Sequence, residues 1–211
     1  MNILRRPFRY RNDNVVFTLI GINVLVYLAE LLLKNIPVIP YLSMIPLAIL
    51  RRGWIWQFAT YMFVHDPRSI SHLVFNMLAL FIFGRQVERQ MGSREFLLYY
   101  MLTGILAGIF SFFAYLFTGT VWITLMGASG AIFAVQLAFA TFFPSSVIYI
   151  WGILPLRAPV MVLGFTALEL LFLVTGAGGN VAHSTHLAGF AFGWLYFVVR
   201  FRINPWRAMR R

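Results

Sequence analysis

The 211-residue chain is 61% hydrophobic and only 11% charged, and it contains no cysteine. A soluble domain wets its surface with about 25% charged residues, so an ordinary water-soluble globule is excluded; without cysteine, so are disulfides and thiolate metal sites. The net charge of +11 does not point to nucleic acid, because Arg5, Arg6, Arg9 and Arg11 precede the first apolar run and Arg200, Arg202, Arg207, Arg210 and Arg211 follow the last, the placement of topology signals and anionic-lipid contacts.

A basic segment, residues 1–14, leads into the first apolar run at 15–33. This run is too long for a signal-peptide core and no small-residue cleavage site follows it, so it is expected to stay as a membrane span. Residues 34–69 form an external segment too long for a simple connector. Its Trp54, Trp56, Tyr61 and Phe63 suit the headgroup region. Further spans are expected at 70–87, 96–117, 121–143, 158–174 and 181–199, with residues 144–156 as an uncharged interfacial connector. The tail, residues 201–211, is again basic. The expected architecture is an all-α polytopic membrane protein, with one six-span domain over 15–200 and no second domain.

A cytoplasmic N-terminus leaves only Lys34, Arg51, Arg52 and Arg68 of the 17 basic residues outside, as the positive-inside bias favours. With an even number of spans both termini are then cytoplasmic, and the bilayer of a prokaryotic inner membrane is the expected location.

Polar side chains inside a bilayer are costly and mark function by default. Span two carries His72 and Asn76, four apart and so on one helix face. Span four carries Ser129 within Gly127-Ala128-Ser129-Gly130, and span six carries His183 and His186 followed by Gly189 and Gly193. Spans two, four and six all begin at the external face. At 1.5 Å per residue, His72, Ser129 and His186 fall about 3–12 Å below it, a common depth that could bring the three together. His186, Gly189 and Gly193 share a face on which a neighbouring backbone can come close. If that neighbour is Gly127–Gly130, Ser129 meets His186.

A serine hydroxyl needs a base to become a nucleophile, and histidine is the usual one near neutral pH. The predicted chemistry is therefore a hydrolase with Ser129 as nucleophile and His186 as base. His72, Asn76 and the Ser129 backbone N–H are the candidate oxyanion donors. No acidic residue is expected within reach, which makes the pair a dyad. Glu169, in the outer half of span five, reads as a packing or water contact, and His183 as a neighbour of the site. A zinc protease is disfavoured because no His-Glu-x-x-His is present, paired aspartates are missing from the spans, and no acidic relay beyond Glu30 and Glu169 suggests a transporter. No metal or other cofactor is called for.

These residues also resemble the rhomboid intramembrane serine proteases. The resemblance runs from Trp54 to Gly193: Trp56-Gln57-x-x-Thr60, Phe63-x-His65, His72-x-x-x-Asn76, Gly84-x-x-x-Glu88-x-x-x-Gly92, Gly127-Ala128-Ser129-Gly130, and His186-x-x-Gly189-x-x-x-Gly193. It implies a compact six-helix fold with a half-embedded first external loop, the roles just assigned, and transmembrane proteins cut near the external face as substrates. Phe133 stands where relatives often carry a tyrosine beneath the catalytic histidine; it keeps the ring and loses the hydroxyl. Asp66-Pro67-Arg68 lengthens the gap before His72, and Glu88 reads as structural. The alternative within the resemblance is a catalytically silent relative that binds and escorts membrane clients, although such relatives commonly lack the serine or the histidine and this chain has both.

Overall fold

The computed structural model describes residues 8–33, 36–150, 152–176 and 182–210. Arg5, Arg6, Lys34, Arg211 and the first residue of the sixth expected span, Val181, lie outside them.

The first helix, α1 (Val15–Leu32), follows Asn14 in a left-handed turn at φ 55°. Its opening N–H groups are satisfied from another helix. Glu88 Oε1 accepts from Val15 N at 2.7 Å and Glu88 Oε2 from Val16 N at 3.0 Å, while the Ser93 hydroxyl also donates to Glu88. The glycines flanking Glu88 complete this seat. A Cβ on Gly84 would stand 3.2 Å from Val16, and Gly92, at φ +85°, turns the chain where Ser93 N donates to Arg11 O at 2.7 Å. The Gly84–Glu88–Gly92 pattern is thus the socket for α1. Glu88 is 2% exposed, so Glu88→Ala strands two donors at a helix N-terminus, Val16 N buried and Val15 N partly so. It should cost about 2–4 kcal/mol, read as a lowered melting temperature in detergent.

The external segment folds on itself through α2 (Val38–Leu42), α3 (Pro46–Arg52) and α4 (Gln57–Thr60), closed by a 3-10 turn at Tyr61–Phe63. Gln57 holds three backbone groups: its Oε1 accepts from Ile45 N at 3.0 Å, and its Nε2 donates to Pro40 O and Tyr41 O. Thr60 donates to Leu42 O at 2.6 Å, and Tyr41, Trp54 and Trp56 pack ring to ring. Residues Trp56, Gln57 and Thr60 therefore build the loop.

The second span runs as α5 (Ile70–Ala79), a π turn (Leu80–Gly84) and α6 (Arg85–Met91), followed by α7 (Ser93–Phe117). The loop is pinned to α7, because Gly104 and Gly108 leave room for Met62 and Tyr61 and the Tyr61 hydroxyl donates to Gly104 O at 2.7 Å.

The fourth span departs from expectation. Helix α8 covers only Ser129–Phe142, and residues 121–128 are not helical. They run beside the external loop, with Met44 and Leu125 exchanging backbone hydrogen bonds at 3.0 and 2.9 Å and Leu47 N donating to Val121 O. Apolarity alone could not distinguish this from helix, since a short apolar run is compatible with either conformation. The 14 residues of α8 extend about 21 Å, short of a hydrocarbon core of about 30 Å. Such a helix must sit inside a ring of others, and α8 is indeed buried along nearly its whole length.

Residues 144–156, expected as a featureless connector, contain a hairpin instead: β1 (Val147–Ile150) pairs antiparallel with β2 (Leu154–Arg157). The Val-Ile-Tyr-Ile run favours strand, and Gly152 at φ +71° serves the turn. The chain continues through α9 (Ala158–Thr175) and α10 (His183–Tyr196), which ends in a π turn (Phe197–Phe201), then α11 (Pro205–Met209). The six expected spans are thus six helical segments. Four of them, 15–32, 70–91, 93–117 and 158–175, are long and apolar enough among the described residues to cross a membrane by themselves.

Candidate active site

The three predicted polar groups each sit in the first turn of a helix: His72 third in α5, Ser129 first in α8 and His186 fourth in α10. Helix α8 starts where it does because Gly127 takes φ +113°, and Gly127 N donates to Tyr61 O at 2.9 Å, tying that turn to the loop. The α8 N-terminus has no side-chain cap, which leaves its opening N–H groups without a side-chain acceptor.

Two glycines bring α8 and α10 together. A Cβ on Gly189 would lie 1.9 Å from Gly130 O, and one on Gly193 would lie 2.9 Å from the Ala134 side chain. Backbone therefore packs on backbone, and Ser129 Oγ and His186 Nε2 are hydrogen-bonded at 2.7 Å. The His186 ring lies flat on Phe133, with centroids 4.6 Å apart and planes at 8°. Beside it, Ser111 of α7 and Thr185, the residue before His186, share a hydrogen bond of 2.6 Å.

His72 closes the other side. Its Nε2 lies 2.8 Å from the point a Gly127 Cβ would occupy, and that point is 3.8 Å from Ser129 Oγ. Ring tip and hydroxyl thus border one small volume. Asn76 donates to His72 O at 2.7 Å, which orients its amide. A cavity of about 740 Å³ opens here, lined by His72, Phe75, Asn76, Met126, Ser129 and His186. His65 packs behind His72, ring centroids 5.0 Å apart. Burial, reinforced by His72, pushes His65 down to about 4, so it is neutral near pH 7 and adds no charge to the site.

The expectation of no acid within reach does not hold. Glu169 Oε2 stands 2.5 Å from His183 Nδ1 and 3.0 Å from His186 Nδ1. The first contact is a hydrogen bond; the second is close but off the hydrogen-bonding angle. Counting back along α9 from Thr175 and forward along α10 from His183 puts Glu169 and His186 at similar depth, which was the available signal. What the count lacked was the face of α9, an almost uniformly apolar helix. Glu169, His183 and His186 each present one ligand-type atom, all within 4.8 Å of one another, and the carboxylate holds its place by the hydrogen bond to His183.

A serine at an uncapped helix start, hydrogen-bonded to a histidine within a helical membrane bundle, defines a class of intramembrane protein. Residues 52–203 match the rhomboid domain family model, and the chain belongs to the rhomboid family. It is an integral, multi-pass membrane protein. It is similar to the rhomboid protease AarA of Providencia stuartii, 32% identical over 160 residues, covering 66% of this chain and 54% of AarA. Rhomboid protease GluP of Bacillus subtilis (strain 168) is 40% identical over 86 residues, 41% of this chain and 15% of GluP. The mitochondrial RHOMBOID-like protein 12 of Arabidopsis thaliana is 30% identical over 165 residues, 70% of this chain and 47% of that protein. The chain spans about half the length of AarA.

Proposed function

We propose that this protein is a serine endopeptidase that cuts transmembrane segments of other membrane proteins near the external face of the bilayer. The observation that carries the reading is the 2.7 Å contact of Ser129 Oγ with His186 Nε2 at the floor of a cavity bordered by polar groups. With Nε2 unprotonated, the Ser129 hydroxyl donates to it. As Oγ attacks the substrate carbonyl carbon, the proton passes to Nε2 and the carbonyl oxygen takes the negative charge. The Ser129 N–H, the Asn76 amide and His72 stabilise that oxyanion, aided by the positive end of α8. Nε2 then protonates the leaving amine, the C–N bond breaks, and the acyl group remains on Oγ. Water, deprotonated by His186, releases the new carboxyl terminus and restores the serine.

Phe133 supports the imidazole as a flat platform, while Gly127, Gly130, Gly189 and Gly193 set the approach of the helices. The arginine distribution favours both termini in the cytoplasm, with the membrane domain over 15–200. The deciding experiment is reconstitution of the purified chain with a single-span substrate carrying a small-residue-rich stretch near the external face. Cleavage within that stretch supports the reading. A folded protein that leaves every such substrate intact removes it.

Asn76→Ala should lower kcat by about 10²–10³-fold with KM little changed, the pattern for a donor used only in the transition state. Steady-state kinetics in proteoliposomes check this, and an unchanged kcat would take Asn76 out of the mechanism.

A further inference from the structure

Helix α9 is the loosest of the spans. Its buried residues, Ala158, Pro159, Met161 and Val162, all lie at its beginning. Further along, its long apolar side chains Leu168, Leu170, Leu171, Leu173 and Val174 stand exposed on the bundle surface. Within that greasy half one carboxylate turns inward: Glu169, its side chain 15% exposed, against two histidines of α10.

We propose that Glu169 is a positioning residue for His186, the third member of a Ser129–His186–Glu169 relay, with His183 as its anchor. The inference rests on the catalytic reading of Ser129 and His186. Removing the Ser129 proton turns His186 into an imidazolium in a poorly solvated site, where an unpaired positive charge is expensive. A carboxylate 3.0 Å from the other ring nitrogen offsets that charge. In the resting state it favours the tautomer with the proton on Nδ1, leaving the Nε2 lone pair for Ser129. The hydrogen bond from His183 at 2.5 Å holds the carboxylate on the α10 side. The imperfect angle to His186 matches a contact that tightens only as the imidazolium forms.

Other groups around the ring do not supply this charge. His183 lies on the same helix; α5 contributes His72, with His65 and Asp66 behind it; α7 faces this turn with Ser111 and Tyr115, and α8 with Ser129 and Phe133. Glu169 is thus the anionic group in contact with the His186 ring among the described residues.

A carboxylate could instead serve merely to tether α9, and a pH profile separates the two roles. Wild type, Glu169→Gln and Glu169→Asp are compared in proteoliposomes from pH 5 to 9, by the rate of fluorophosphonate labelling and by kcat/KM for a single-span substrate. Glu169→Gln should slow both by about 10- to 10³-fold, less than the roughly 10⁴-fold loss for a well-aligned triad carboxylate. It should also move the rising acid limb of the profile to lower pH, the direction expected in general when a carboxylate beside a general base is neutralised. KM should stay within about twofold, and Glu169→Asp should recover part of the rate together with the wild-type limb. A Glu169→Gln enzyme within about twofold of wild type overturns the proposal, as does a slowed enzyme whose acid limb has not moved. A folded wild type that neither labels nor cleaves defeats the catalytic reading and the relay with it. Histidine ¹⁵N spectra of the wild type need no variant: the His186 proton should reside on Nδ1, and a proton on Nε2 would also overturn the proposal.

Discussion

Ser129→Ala should abolish proteolysis and leave the fold in place. In the proposed mechanism the hydroxyl forms the acyl bond, so its loss would leave only binding and oxyanion stabilisation, and serine hydrolases stripped of the nucleophile lose about 10⁶-fold in kcat. The cost to structure is small. Oγ is hydrogen-bonded to His186 at the edge of an open cavity, and an alanine at the first position of α8 suits a helix. Wild type and Ser129→Ala should therefore melt within a few degrees of each other while cleavage disappears. His186→Ala should be equally inactive. It is the poorer probe, because it also removes the ring stacked on Phe133.

Gly189→Ala should damage both stability and activity. The new Cβ would lie 1.9 Å from Gly130 O, 2.7 Å from Gly130 C and 3.2 Å from Gly130 Cα. All three are backbone atoms in the middle of the bundle, so no side chain can rotate away, and α8 and α10 must separate. The expected cost is about 3 kcal/mol or more. The wedge also sits under the site, since Gly130 follows Ser129 and Gly189 lies one turn beyond His186. A separation of about 1 Å would stretch the Ser129–His186 contact, and misplacement on that scale can cost about 10²-fold in rate. The control is Gly164→Ala on α9, where the added Cβ would meet nothing within 4 Å. Thermal unfolding and fluorophosphonate labelling read both effects. Wild-type values for Gly189→Ala would show that the close approach does not hold the site together.

The parts of the fold legible in the sequence were those that a bilayer forces into the open. Hydrophobic runs had to span and polar residues are rare within them, so His72, Ser129 and His186 could be placed at one depth by parity, and Asn76 on the helix face of His72. Gly189 and Gly193 announced a close helix approach because small residues at that spacing have few other uses in a membrane. Phe133 lies beneath His186 as the resemblance implied. What stayed hidden depended on backbone conformation or on the facing of an apolar helix. Residues 121–128 look as greasy as helix but pair with the external loop, which is why Ser129 opens α8 instead of lying two turns inside it. The hairpin at Val147–Ile150 and Leu154–Arg157 was equally invisible to a count of hydrophobic residues. Glu169 could be placed at the right level, but in α9 nothing in the pattern distinguished the side facing α10. Gln57 and Tyr61, which knit the external loop and join it to Gly127 and Gly104, act largely through main-chain partners distant in sequence.

The central claim is that Ser129 is a nucleophile because His186 takes its proton. The most direct measurement is to label the folded protein in liposomes with a fluorophosphonate and locate the adduct by peptide mass spectrometry. The account predicts one adduct, on Ser129, that is lost in both Ser129→Ala and His186→Ala. An adduct on another residue, or one on Ser129 that forms equally well without His186, would contradict it.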